Sequence, residues 1–140
     1  TYGFRIEGRS ADGAGWALGF ASDVGVATPE LLEVLAGVDV LAVEYNHDVP
    51  MQRASRRPRM LIDRVLGSRG HLSNRQAADV TQAVAASGRL RAVVQLHLSR
   101  ECNTPELAAA AGRAAAPGAT VVTAAQHRPA AAVPLVGRQE

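Results

Sequence analysis

Seven acidic, imidazole or amide side chains stand where an apolar segment of this chain ends or where a helix is expected to begin. They are Asp23, Glu44, Asn46, His47, Asp48, His71 and His97. Carboxylates and imidazoles bind divalent metal ions, and imidazole also takes up or releases a proton near neutral pH. Each residue taken singly has an ordinary explanation as a turn or core residue. Because three of the four histidines belong to this group, the pattern favours a metal-binding or catalytic site.

The predicted strands would bring these residues together. Alternating or continuous apolar segments predict strands at residues 2–7, 15–22, 38–43, 90–98 and 120–124. Asp23 follows the second strand, Glu44 follows the third, and His97 lies at the end of the fourth. The carboxyl ends of parallel strands meet at one edge of an open sheet, where ligands usually bind. Trp16 and Phe20 share one face of the second strand and are predicted to lie in the core.

Helix starts are marked by capping residues. Thr28 and Thr104 each precede a proline and a glutamate, a favourable order for the first turn of a helix. Ser73, with a glutamine three residues later, has the sequence of a capping box. Residues 60–66 predict a short amphipathic helix, whereas 49–59 is predicted to be a loop or a broken helix because prolines interrupt it. The alternation of strands and helices predicts an α/β fold built on one mixed β-sheet.

Length and composition are those of one globular domain. The chain has 140 residues, of which 47% are hydrophobic, and we predict a single domain over 1–140 with a possible tail at 130–140. The single Cys102 excludes an internal disulfide network, and no apolar stretch is long enough for a membrane span, so a cytoplasmic protein is expected. The first residue is Thr1 rather than methionine, which suggests a processed chain or one piece of a longer protein.

Arginines are concentrated in one segment of the chain. The sequence contains no lysine, and between residues 53 and 75 the only acid is Asp63. The arginines of this segment are Arg53, Arg56, Arg57, Arg59, Arg64, Arg69 and Arg75. Such a segment is typical of a solvated surface. The alternative is a surface that contacts the nucleic-acid backbone, because the planar guanidinium group suits phosphate binding.

Four motifs in this order resemble a known superfamily: FASDVG, VLAVEYNHDV, RVLGSRGHLSN and VVQLHLSRECNTPELA. Together they are similar to the carboxyl-terminal half of a metallo-β-lactamase-fold hydrolase, and most similar to the YycJ or WalJ group, whose members resemble the ribonuclease Z and ribonuclease J nucleases. The resemblance covers residues 2–113. It implies an αββα sandwich, in which two β-sheets with helices on their outer faces meet at a dinuclear metal site.

The same resemblance implies roles for individual residues. Asp23 matches the carboxylate that bridges the two metal ions, and His97 matches the last histidine ligand. His71 matches a histidine that assists protonation of the leaving group, and Glu44 matches an acid that pairs with such a histidine. Three further residues, which match the group's N-H-D signature beside the site, are Asn46, His47 and Asp48.

A central part of the family pattern is missing from these residues. The motif H-x-H-x-D-H, which carries most of the metal ligands, occurs nowhere in the chain. Asp23 and His97 alone are too few to fix a dinuclear centre, so this chain by itself is not expected to be active. The resemblance therefore implies a missing amino-terminal half or a partner chain, with self-association as a further possibility.

The resemblance implies an intact parent that is a metal-dependent phosphodiesterase or exonuclease acting on nucleic acid, with two zinc or manganese ions. The arginines that would contact the nucleic-acid backbone are Arg53, Arg56, Arg57, Arg59 and Arg69. Two alternatives stay open at this point. One is a non-catalytic remnant that serves as an interaction module, and the other is a hydrolase of a small ester or thioester.

Overall fold

The structure, a computed structural model, describes residues 2–135 and is built on a five-stranded mixed sheet. The strands, which lie side by side in chain order, are β1 (Tyr2–Arg9), β2 (Gly15–Ser22), β3 (Val40–Glu44), β4 (Ala92–Leu96) and β5 (Thr120–Thr123). Strands β1 and β2 form an antiparallel hairpin, and the pairs from β2 to β5 are all parallel. This arrangement confirms the predicted α/β class, and one sheet with five helices is consistent with half of the predicted sandwich.

Helices connect the parallel strands. They are α1 (Pro29–Leu35), α2 (Val49–Ala54), α3 (Arg59–Leu66), α4 (Asn74–Ala85) and α5 (Pro105–Ala115). The predicted caps are confirmed, since Thr28, Ser73 and Thr104 each accept a hydrogen bond from a backbone N–H in the first turn. The segment after β3 begins with a short helix because the Asp48 side chain caps it and its proline lies in the first turn, where no donor is needed.

Helices α1, α4 and α5 pack on one face of the sheet and form the main core. Aliphatic side chains from these helices meet the side chains that β2, β3 and β4 direct toward them. The buried residues at this interface include Ala21, Leu35, Leu41, Val43, Val80, Val84, Val93 and Ala108. Strand β3 is buried along its whole length, as a central parallel strand requires, and its end is thereby fixed in position.

The opposite face of the sheet is apolar and partly open to solvent. Phe4 and Ile6 on β1 are 55% and 52% exposed, and Leu18 on β2 is half-buried. Trp16 and Phe20 lie on this open face and are also half-buried, so the prediction that they belong to the core is wrong. Their alternation places them on one face of β2, but the helices cover the other face.

The last described residues have no regular structure. After β5 the chain runs without helix or strand to residue 135, and residues 136–140 of the possible tail lie outside the described part. Within residues 2–135, no helix has both the length and the apolar character needed to cross a membrane.

Candidate metal centre

The site lies at the carboxyl edge of the three central strands. Asp23 follows β2 directly, Glu44 is the last residue of β3, and His97 follows β4 directly. His71 comes from the segment between α3 and α4 and reaches the same edge. One potential metal-binding atom from each of Asp23, His71 and His97 lies within 4.8 Å of the others. The structure thus brings together the residues that the sequence placed at strand ends.

Glu44 lies beneath this group and holds its parts in place. Its side chain is fully buried, and its Oε2 atom is 3.1 Å from Nδ1 of His71 and 3.0 Å from Nδ1 of His97. The other oxygen, Oε1, accepts hydrogen bonds from the backbone N–H groups of Val24 and Leu72 at 2.7 and 3.1 Å. One carboxylate therefore joins the three segments that carry Asp23, His71 and His97.

The hydrogen bonds to Glu44 determine which nitrogen of each imidazole faces outward. A carboxylate only accepts hydrogen bonds, so the Nδ1 atoms of His71 and His97 carry the shared protons. Each Nε2 atom is then available to a metal ion or for proton exchange, while the Nδ1 atoms of His71 and His97 also lie 3.7 and 3.8 Å, respectively, from Oδ1 of Asp23. Metal-binding histidines usually donate the proton of their other nitrogen to a carboxylate in this way. The two rings lie edge to face, with centroids 4.9 Å apart.

Asp23 and His97 share an unusual backbone conformation. Their φ angles are +56° and +54°, in the left-handed region that side chains other than glycine seldom adopt. Each such residue costs about 1–3 kcal/mol, which the surrounding contacts must offset. Strain at both positions is typical of a site whose geometry serves function.

The loops that carry Asp23 and His71 are packed backbone against backbone. A Cβ atom on Gly25 would lie 2.0 Å from the carbonyl oxygen of Ser68, and one on Gly70 would lie 2.1 Å from that of Val65. Gly25 therefore allows the two loops to approach each other, and Oδ1 of Asp23 lies 3.7 Å from Nδ1 of His71. Gly70 instead allows the loop that carries His71 to fold back against the end of α3.

Asn46, His47 and Asp48 lie beside the group but contribute no atom to it. The Asn46 amide donates a hydrogen bond to the His97 carbonyl oxygen at 2.8 Å, and Asp48 caps α2. His47 is buried, and this burial lowers its pKa. The nearby His71 lowers the pKa further, while Glu44 and Asp48 oppose the shift. Of the three side chains, that of Asn46 contacts the segment of a site histidine directly.

The arginines predicted to contact nucleic acid lie in α2, in α3 and in the loops that follow these helices. Four of them are exposed: Arg53, Arg56, Arg59 and Arg69. Arg69 lies two positions before His71, which places it at the border of the site. The exposed guanidinium groups of α2, α3 and their flanking loops give this surface a positive charge.

Arg57 differs from the other arginines because it is partly buried and held in place. Its Nε donates to Glu101 at 3.0 Å, and its NH2 group lies 3.5 Å from the Ser99 hydroxyl oxygen. Ser99 is two residues beyond His97, so the guanidinium of Arg57 lies close to the border of the site.

A buried amide pair joins three segments of the fold and was missed from the sequence. Asn74 and Asn103 exchange two hydrogen bonds of 2.8 Å, and Asn103 also donates to the Tyr45 carbonyl oxygen at 2.8 Å. The pair connects the start of α4, the start of α5 and the end of β3. Nothing local in the sequence signals this pairing, because the two residues are far apart along the chain.

The donor set fits a divalent metal ion such as zinc or manganese. Two imidazoles with anchored Nδ1 atoms and a partly exposed carboxylate, Asp23, are the ligand types that such ions take. The fully buried carboxylate of Glu44 adds negative charge beneath them. A centre with two ions needs further protein ligands beyond these three residues.

The chain is similar in sequence to proteins named as exodeoxyribonucleases. The chain is 32% identical over 91 residues to the exodeoxyribonuclease YycJ of Bacillus anthracis, a match that covers 65% of this chain and 34% of that protein. It is 31% identical over 87 residues to the exodeoxyribonuclease WalJ of Streptococcus pneumoniae serotype 2 strain D39, covering 62% and 32% of the two chains. The WalJ of the R6 strain of Streptococcus pneumoniae gives the same values. No family model matches the chain.

These matches confirm the predicted resemblance to the YycJ and WalJ group of the metallo-β-lactamase superfamily. The chain spans about a third of the length of the curated relatives it matches.

Proposed function

We propose that this chain provides part of the active site of a metal-dependent phosphodiesterase, an exonuclease acting on nucleic acid. The observation that carries the proposal is the convergence of Asp23, His71 and His97 above the buried carboxylate of Glu44. The names of the relatives, exodeoxyribonuclease YycJ and WalJ, support the nuclease activity. They also make DNA the first substrate to test.

Asp23 and His97 would hold the metal ions, two of zinc or manganese, together with ligands from outside this chain. Divalent ions at such a site supply a nucleophile from water at neutral pH and neutralise charge on the phosphodiester. Glu44 would fix the orientation of the His97 ring through Nδ1, which leaves Nε2 as the binding atom. The left-handed turns at both ligands would direct them to a common point.

His71 would donate a proton to the leaving group. Its Nδ1 stays on Glu44, and its Nε2 delivers the proton to the oxygen that leaves the phosphorus. The ring is 27% exposed, so a substrate can reach it from the open side of the edge. The same geometry allows His71 to act as a third metal ligand. Metal analysis of His71→Ala separates the two roles, because only loss of a ligand lowers the metal content.

The nucleic-acid backbone would lie along the surface of α2 and α3. The exposed Arg53, Arg56 and Arg69 would supply positive charge, as would Arg59, which also pairs with Asp63 on the same helix. Arg57 would supply a guanidinium held close to the site. Neutralising phosphates with these groups would make binding weaken steeply as salt is added. The site and the charged surface would then act on the same strand.

A second sheet would cover the open face of this one. That face exposes Phe4 and Ile6, and an apolar surface of this kind favours burial against a partner. The relatives are about three times as long as the matched segment, and the H-x-H-x-D-H ligands are absent here. We therefore propose that residues 1–140 form the carboxyl-terminal part of one sandwich domain, completed by an amino-terminal half or a partner chain, in the cytoplasm.

The complete gene product provides the test. Elemental analysis should find close to two metal ions per active site, and hydrolysis of single- and double-stranded DNA should depend on them. Asp23→Ala should lower both, whereas Asp79→Ala, an exposed acid on α4, should lower neither. Absence of metal would support a non-catalytic interaction module, and hydrolysis of small esters or thioesters without DNA binding at low salt would overturn the nuclease assignment.

A further inference from the structure

We infer that Asn46 is a positioning residue that holds His97 in its left-handed conformation and so sets the metal affinity of the site. The inference rests on the function proposed above, because it concerns the placement of one metal ligand. It assigns a task to the first residue of the N-H-D segment, which contributes no atom to the metal-binding group itself.

The left-handed turn at His97 leaves its carbonyl oxygen outside the sheet. Strand β4 ends at Leu96, whose carbonyl oxygen still accepts a sheet hydrogen bond from the Tyr45 N–H at 3.0 Å. At His97 the φ angle is +54°, and its carbonyl oxygen receives the side-chain N–H of Asn46 at 2.8 Å. The Asn46 side-chain amide therefore donates a hydrogen bond to the His97 carbonyl oxygen, which the turn would otherwise leave without a partner in the sheet.

The backbone of Asn46 joins the two histidine segments. Its N–H donates to the Leu72 carbonyl oxygen at 3.0 Å, next to His71, and its carbonyl oxygen accepts the Ser99 N–H at 2.8 Å, just after His97. Asn46 is only 7% exposed. The segments that carry His71 and His97 are thus both hydrogen-bonded to Asn46. This buried residue would therefore set the separation of the two imidazole rings.

The amide is the group that this position requires. Aspartate has nearly the same shape but presents only acceptor oxygens, which would face the His97 carbonyl oxygen and repel it. Alanine leaves that carbonyl without its donor. In both variants the turn at His97 loses its support and the ring can leave Glu44. Loss of a residue that orients a metal ligand typically weakens metal binding by about 10- to 100-fold.

Asn103 provides a matched control. It is also a buried asparagine, 6% exposed, and its amide also donates to a backbone carbonyl oxygen, that of Tyr45, at 2.8 Å. Its other partner is Asn74. Asn103→Ala therefore removes a comparable buried hydrogen bond from the fold without touching His97.

The experiment is a Mn²⁺ titration of the complete gene product by calorimetry, with circular dichroism as the test of folding. Asn46→Asp and Asn46→Ala should raise the Kd for Mn²⁺ by about 10- to 100-fold while the spectrum stays native. Asn103→Ala should lower the melting temperature but leave the Kd within about twofold of wild type. Equal Kd values in wild type and both Asn46 variants, or an equal rise in the Asn103 variant, would overturn the inference.

Two further outcomes are informative. If the wild type binds no Mn²⁺, the proposed function fails rather than the role of Asn46. If neither Asn46 variant folds, NMR spectroscopy of the wild-type protein provides the test instead. The side-chain N–H of Asn46 should exchange slowly with solvent and should shift when Zn²⁺ is added, and a resonance that is unaffected by Zn²⁺ would overturn the inference.

Discussion

Replacing Glu44 with glutamine removes a negative charge from beneath two imidazoles without changing the size of the side chain. The carboxylate accepts four hydrogen bonds, two from backbone N–H groups and two from the Nδ1 atoms of His71 and His97. A glutamine has one carbonyl oxygen, so it can serve only one of these pairs. If the NH2 group faces the backbone N–H groups, it cannot bond with them, and if it faces the imidazoles, each ring can accept from it only by moving its proton from Nδ1 to Nε2, the nitrogen assigned to the metal ion.

The effect of Glu44→Gln on metal affinity and turnover depends on losing the two hydrogen bonds from the imidazoles. Hydrogen bonds to a charged group contribute about 1.5–3 kcal/mol each, so two of them represent about 3–6 kcal/mol of orienting energy. Part of this loss acts on His97, and we expect metal affinity to fall by about 10- to 100-fold. The other part acts on His71, whose proton transfer is expected to contribute about 10²–10⁴-fold to the rate.

The assay measures these two effects separately. Metal content and Kd are determined in the complete gene product, and turnover of DNA is then measured at a metal concentration that saturates the variant. We expect the number of metal ions to be unchanged at saturation, while the turnover rate falls by about 10²-fold or more. Glu33→Gln, which removes an exposed carboxylate from α1, serves as the control and should change neither quantity.

Two results would refute this reasoning. If Glu44→Gln abolished metal binding even at saturating concentration, Glu44 would itself be a ligand rather than the residue that orients the ligands. If turnover at saturating metal matched wild type, His71 would not depend on Glu44 for its orientation, and the proposed proton transfer would lose its support.

Three other predictions concern the surroundings of the site. Burial lowers the pKa of His47 below 6.5, so the unfolded chain binds a proton at this residue more readily than the folded chain does. The free energy of unfolding should therefore rise with pH across the range just below 6.5. In urea titrations, His47→Gln should flatten this dependence. Gly25→Ala should cost about 1–3 kcal/mol in the free energy of unfolding and weaken metal binding, because its Cβ would meet a carbonyl oxygen, whereas Gly15→Ala, with open space around it, should not. Arg53→Ala combined with Arg56→Ala should lower the salt slope of DNA binding by about 1.4–1.8, and Arg113→Ala on α5 should leave it unchanged.

Local signals were sufficient for the elements that position the site. Thr28, Ser73 and Thr104 predicted helix starts that the structure confirms, because a cap depends only on the residues within one helical turn. The positions of Asp23 and His97 at strand ends followed from the apolar runs before them. Parallel pairing then brought these ends to one edge, which the α/β alternation had predicted.

Contacts between segments that are distant along the chain could not be predicted from local sequence patterns. The alternation of Trp16 and Phe20 shows that they share a face of β2, but it cannot show which face the helices cover. Similarly, the pairing of Glu44 with His71 was expected from resemblance, whereas its second bond, to His97, was not. Such contacts depend on the register of neighbouring strands, which no local pattern encodes.

The charge balance of the site explains why a cation is the ligand that best fits it. Glu44 is fully buried, and a buried carboxylate is costly unless opposite charge or donors compensate for it. Its four hydrogen bonds meet the need for donors, but with neutral imidazoles they add no positive charge. Asp23 brings a second carboxylate to within 3.8 Å of the His97 ring. In the proposed function, a divalent cation bound beside the two imidazoles would supply the positive charge that these contacts lack.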